Sequence, residues 1–146
     1  MYCLVAVVLL SVVSIGVALA GKPAPPNSAI TIDNTARKHV NNLTITTTVD
    51  LDRIMLSVPA NITITDVAAP EGWTVNSLDD INYDHSVIWT ANMGCGMYPV
   101  NELNPVSLSG FMVKVSKRVR NASIWGYIFD DYGNYALVAN TFLTLR

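Results

Sequence analysis

Sulfur is concentrated in one short stretch of this 146-residue chain, Met93-Gly94-Cys95-Gly96-Met97, and His85 lies shortly before it. Thioether and thiolate are soft ligands that select Cu(I), and alternate residues of an extended segment project to the same side. Met93, Cys95, Met97 and His85 are therefore a candidate copper site. A blue-copper centre, however, needs two histidines beside its Cys and Met. Here no His follows Cys95, and the only other one, His39, is far upstream. The preferred reading is a glycine-flanked loop whose Met and Cys tuck into the end of a core.

Hard ligands gather elsewhere: Asp50 with Asp52, then Asp79, Asp80 and Asp84, then Asp130 with Asp131. Loop carboxylates suit Ca²⁺, yet none of these stretches has the twelve-residue D-x-[DN]-x-[DN]-G spacing, so solvated turns are the better reading. Lys114, Lys117, Arg118 and Arg120 form the one basic cluster. It is a candidate contact for an acidic partner, although such charges also serve solubility and blunt sticky strand edges. Tyr83, Tyr98, Tyr127, Tyr132 and Tyr135, with Trp73, offer a possible sugar-stacking surface, with core and cross-strand packing as the more ordinary role. The chain has no G-x-S-x-G elbow, H-E-x-x-H pair or P-loop and only two histidines, so neither catalysis nor a cofactor is expected.

Residues Leu4 to Ala20 form an uncharged run ending in Ala18-Leu19-Ala20, the pattern of a secretory signal with a small-residue cleavage site. No Lys or Arg precedes the run, so retention of residues 1–20 as a membrane anchor is the alternative, and that would be the only membrane contact. Either way the remainder faces outward. It carries N-x-[ST] acceptors at Asn42, Asn61 and Asn121, candidate glycosylation sites in an extracellular protein. Nine basic against eleven acidic residues, a net charge of −2, give no electrostatic case for nucleic acid. Of the two cysteines, Cys3 lies in the leader, so a cleaved chain holds one thiol and no internal disulfide.

These residues must be positioned by strands. Gly21 to Ser28 contains three prolines and makes an extended spacer, and residues 29–146 suffice for a single domain with a real core. Short Val/Ile/Thr/Tyr-rich runs follow at Ala29–Asp33, Leu43–Val49, Arg53–Val58, Asn61–Val67, Trp73–Val75, Ser86–Ala91, Leu108–Ser116, Ala122–Phe129 and Tyr135–Leu145. Pro59-Ala60 suits a turn or a crossing between sheets, and Lys117–Asn121 suits the tip of a hairpin joining its two flanking runs. Eight or nine closely spaced strands without an amphipathic helix indicate an all-β fold, an antiparallel β-sandwich of immunoglobulin-like type behind the apolar leader.

The function expected of such a chain is contact: a secreted or cell-surface module, adhesive or structural, with protein partners that include further copies of itself. Ala29, Ile30, Thr31 and Ile32 alternate apolar side chains behind the proline-rich spacer. That is the pattern of a segment that completes a neighbour's sheet by strand donation, against the simpler reading that it is the domain's own first strand.

Overall fold

The computed structural model describes residues 29–78, 85–101 and 103–146. Nine strands are present among them: β1 (Ile30–Arg37), β2 (Val40–Thr47), β3 (Arg53–Val58), β4 (Ile64–Ala68), β5 (Trp73–Leu78), β6 (His85–Ala91), β7 (Val106–Val115), β8 (Val119–Phe129) and β9 (Tyr135–Leu145). They form two antiparallel sheets, β1-β2-β7-β4 and β5-β6-β3-β8-β9. Period-two patterning explains the pairing of layers. Leu43 and Ile45 of β2 alternate with exposed or half-buried neighbours, as do Val87 and Trp89 of β6, while β3 buries Ile54 and then all of Leu56 to Val58, and the buried sets face one another.

The two sheets are joined at their centre by aromatic rings. Phe111 of the first sheet lies edge-on to Trp73 and Trp89 of the second, with centroid separations of 5.3 and 5.6 Å and interplanar angles of 83° and 78°. These are the T-shaped geometries that the ring quadrupole favours. Burial of Trp89 leaves its indole N–H in need of an acceptor, and Ala68 O supplies one at 2.8 Å, linking β6 to the end of β4.

Strict alternation would not bury Phe111 with Leu108, because the two differ in parity. A bulge restores the phase: Leu43 pairs with Phe111 and Thr44 with Ser109, so Gly110 is the extra residue. Its φ is +107°, and an added Cβ would lie 3.1 Å from Pro70 Cβ, so both backbone conformation and space call for glycine.

The connection after β7 corrects the sequence reading. β7 pairs with β2 and β4, whereas β8 pairs with β3 and β9. Residues 116–118 therefore cross between sheets instead of turning a hairpin. Local alternation cannot tell a hairpin from a crossing, because both need a polar break between two strands. Pro59-Ala60 does mark a crossing, from β3 to β4. The β1–β2 hairpin turns on Lys38 and His39, both with positive φ (49° and 68°). That backbone usually takes Asn-Gly, which is why the sequence gives little sign of it.

At the same end Asn41, fully buried, ties the last residue into the domain. Its Oδ1 accepts from Asn34 Nδ2 and from the Arg146 amide, each at 2.8 Å, and its Nδ2 donates to His39 O and Arg146 O. The register of all strands thus defines two ends. One carries residues 48–52, 69–72, 92–101, 103–105 and 130–134 and the start of β1, and is called upper here. The lower end carries the turns after β1, β3 and β7, the end of β5, the start of β6 and the C-terminus.

Replacing Phe111 by Ala removes the ring shared by both tryptophans and is expected to cost about 3–5 kcal/mol in urea unfolding. The exposed ring of Phe129 (51% accessible) provides the contrast: its replacement by Ala should change stability by less than about 1 kcal/mol.

Candidate functional site

Asp52, immediately before β3, organises the upper end. Its amide donates to Tyr127 O and its carbonyl accepts from the Ala91 amide, both at 2.8 Å, so its backbone sits between β8 and β6. Its carboxylate then reaches upward. Oδ1 accepts a short hydrogen bond from the Tyr98 hydroxyl, and Oδ2 accepts the Phe129 amide at 3.0 Å. This side chain therefore ties Tyr98, in the loop after β6, to the end of β8.

Gly96 is part of the same device. A Cβ there would stand 2.5 Å from Tyr98 Oη and 2.7 Å from Asp52 Oδ1, so only glycine lets the tyrosine fold back onto the carboxylate. Beside it, the Arg53 guanidinium lies 3.4 Å over the Tyr135 ring and reaches the Thr90 hydroxyl at 3.4 Å. Phe129 leans on Tyr135 with centroids 5.1 Å apart and planes at 60°. Asp52, Asn92, Met93, Tyr98, Phe129 and Tyr135 enclose a cleft of about 360 Å³, within the range of small-ligand sites.

The electrostatics of the cleft follow from its carboxylates. Tyr98 is pushed up to about 12, first by the hydrogen bond its phenol donates to Asp52, then by burial and by the charges of Asp52 and Asp50. Tyr127 is raised by burial, with Arg53 pulling it back down.

The structure separates the sulfur residues. His85 opens β6 and Met93 follows its other end, about 20 Å away at strand rise. Gly94 has φ +77° and the Cys95 amide bonds Asn92 O, so the segment turns and does not run extended. Met97 is buried and paired with Leu51, whereas Met93 and Cys95 are exposed. Met93, Cys95, Met97 and His85 thus do not converge, and among the described residues no three His, Cys, Asp or Glu side chains come together to hold a metal ion.

Asp130 spends Oδ1 on the amides of Tyr132 and Asn134, as a turn residue does. Asp79, Asp80, Tyr83 and Asp84 lie outside the described residues. Trp73 belongs to the core, while Tyr98 and Tyr135 reach the cleft. Lys114, Lys117, Arg118 and Arg120 are all exposed at the lower end, and Ile30 and Ile32 are paired with Thr47 and Ile45 of the same chain. Phe129 has no place among the candidates read from the sequence, and Asp52 is a candidate there only as a Ca²⁺ ligand, with a solvated turn preferred. Their meeting depends on the β3–β8 register, which no local pattern specifies.

No protein-family model and no curated protein matches this chain. Among solved structures, a cohesin module from a Clostridium perfringens family 33 glycoside hydrolase superposes with a TM-score of 0.46 at 8% identity, over 80% of this chain and 93% of the module. An uncharacterized protein from Nocardia farcinica with an immunoglobulin-like fold superposes with a TM-score of 0.45 at 15% identity, over 80% of this chain and 95% of that one. At such scores no function is carried across.

The protonated Tyr98 phenol is the donor to Asp52, and its raised value fixes the sign of the pH effect. The stability from this bond is whole below pH 10, the ordinary tyrosine value, and is lost as pH rises from 10 to about 12. Ultraviolet titration of tyrosinate is expected to show a late-ionising ring that disappears in Tyr98→Phe. That variant should also lose part of the decline in stability across the same interval, leaving the share that belongs to Tyr127.

Proposed function

We propose that residues 29–146 form a secreted or cell-surface β-sandwich of immunoglobulin-like type that works by contact and not by catalysis, as an adhesive module or a subunit of an extracellular assembly. The observation that carries this reading is the division of the surface. Of the exposed large apolar or aromatic side chains among the described residues, Met93, Tyr98, Val100, Leu103, Phe129 and Tyr132 belong to the upper end, while Leu137 and the less exposed Phe142 lie along β9. Asn42, Asn61 and Asn121 are exposed in the lower half: Asn61 in the turn after β3, Asn121 near the start of β8, and Asn42 near the start of β2. Glycans on these residues would clothe the lower half and leave the apolar end bare, the arrangement that a contact surface requires.

The apolar loop is built and not loose. Asn101 Oδ1 accepts from the Leu103 amide at 2.9 Å and from Asn104 Nδ2 at 3.0 Å, and the Asn104 amide bonds Asn101 O at 3.0 Å. This turn holds Val100 and Leu103 outward at 89% and 90% accessibility. The leader at residues 1–20 accounts for export, and the spacer at 21–28 joins the domain at its upper end, through Ala29.

Assembly by strand donation is the narrower form of this reading and would require exchange of β1, which pairs along β2 over eight positions in its own chain. Light scattering after size exclusion, on protein beginning at Gly21 and at Asp33, separates the forms. Polymers of the first that vanish in the second mean donation by Ala29 to Ile32, and compact monomers of the first mean a stand-alone module.

Paired substitution of Val100 and Leu103 by Glu tests the contact end itself. Both side chains are outside the core, so unfolding should shift by no more than about 0.5 kcal/mol. Adhesion of domain-coated beads to the producing cells, or to beads bearing the same domain, is expected to fall about tenfold or more. Undiminished adhesion would remove the upper end from the proposal.

A further inference from the structure

The cleft at Asp52 has a chemical character that the contact reading does not use. Its wall carries three aromatic rings, from Tyr98, Phe129 and Tyr135, the thioether of Met93, the carboxamide of Asn92 and one ionised group, the Asp52 carboxylate. Among the described residues that line it, the one formal charge is negative. That carboxylate is held on two sides, by the Tyr98 hydroxyl and the Phe129 amide, and a carboxylate has about four acceptor positions, so capacity remains on a rigidly placed anion.

Ring faces attract cations through the quadrupole, and this end of the domain already shows the preference, in the Arg53 guanidinium laid over Tyr135. Arg53 is not part of the cleft lining, and it is engaged with Tyr135 and Thr90. Near the Tyr98 phenol the carboxylates are those of Asp52 and Asp50, so that wall faces negative charge. A neutral sugar fits less well. It presents a rim of hydroxyls that call for several protein donors, and the Tyr98 hydroxyl is already given to Asp52.

We propose that this cleft binds a substituted ammonium group, with Asp52 as the counter-charge and the rings of Tyr98 and Phe129 against the alkyl groups on nitrogen. Aromatic walls and a carboxylate are the recurrent means by which trimethylammonium is recognised, since that ion cannot be satisfied by hydrogen bonds and gains most from soft, polarisable faces. The site is independent of Val100 and Leu103, so its failure and that of the adhesive surface are read separately.

Isothermal titration of the domain with choline, and with its uncharged isostere 3,3-dimethylbutan-1-ol, tests the proposal. Choline is expected to bind with a Kd of about 1 mM or tighter, and the isostere at least about tenfold more weakly. Phe129→Ala should weaken choline about tenfold while leaving the unfolding midpoint in place, and Met93→Ala, which deletes a fully exposed wall, guards against misfolding as the cause. Titration with Nε-trimethyllysine identifies the source of the group: tighter binding than choline assigns it to a modified peptide, weaker binding to a choline-type head group. Equal affinity for the isostere, or no saturable binding of either cation to about 10 mM, would overturn the proposal.

Discussion

Phe111 reaches from one sheet to touch two tryptophans of the other, and it does so because Gly110 is out of line. Without the bulge, the alternation that turns Leu108 inward would turn Phe111 outward, and the sandwich would lose its aromatic contacts with Trp73 and Trp89. The bulge also brings Gly110 against Pro70, at the turn that leads into Trp73. Trp89 in turn holds Ala68 O, so β4, β5, β6 and β7 are fixed to one another around a single aromatic cluster. The loop that follows β6 starts from that fixed point, and it is the loop that carries Met93, Tyr98, Val100 and Leu103.

From this core to the cleft the link is Asp52. Its backbone belongs to the sheet, bonded to Tyr127 and Ala91, while its carboxylate belongs to the loops, bonded to Tyr98 and Phe129. A carboxylate at this junction converts strand register into loop geometry. Sites held by side chains that are themselves locked need little reordering on binding, which lowers the entropic cost of association. The same residue supplies the charge that gives the cleft its character, so scaffold and recognition are joined in one group.

Most of the strands were legible because apolar and polar residues alternate in stretches such as Leu43-Thr44-Ile45-Thr46, and because breaks such as Pro59-Ala60 bound short apolar runs such as Arg53 to Val58. Pairing was less so. Lys117 and Arg118 look like the tip of a hairpin, but they mark a crossing, since which sheet a strand joins is decided by distant partners. The Lys38-His39 turn was hidden because neither residue is the usual bearer of positive φ. Of the cleft, Tyr98 and Tyr135 were visible only as members of an aromatic set, whose preferred role of core packing holds for Trp73; composition alone cannot tell a core ring from a surface ring. Alternate Met and Cys residues suggested convergence only while the segment was taken as extended, and the turn at Asn92–Cys95 removes that premise.

The surface has a polarity that follows from the fold: most exposed large apolar side chains and the cleft at the end where β6 and β8 finish, exposed sequons and most basic side chains toward the other. That polarity has meaning for contact only if the upper loops are held in place before any partner arrives. Backbone NMR order parameters for residues 92–101 and 129–135 in the unliganded domain measure this directly. Values near 0.85, equal to those of the strands, are what the Asp52 anchor predicts, and values below about 0.6 would contradict a preformed contact end.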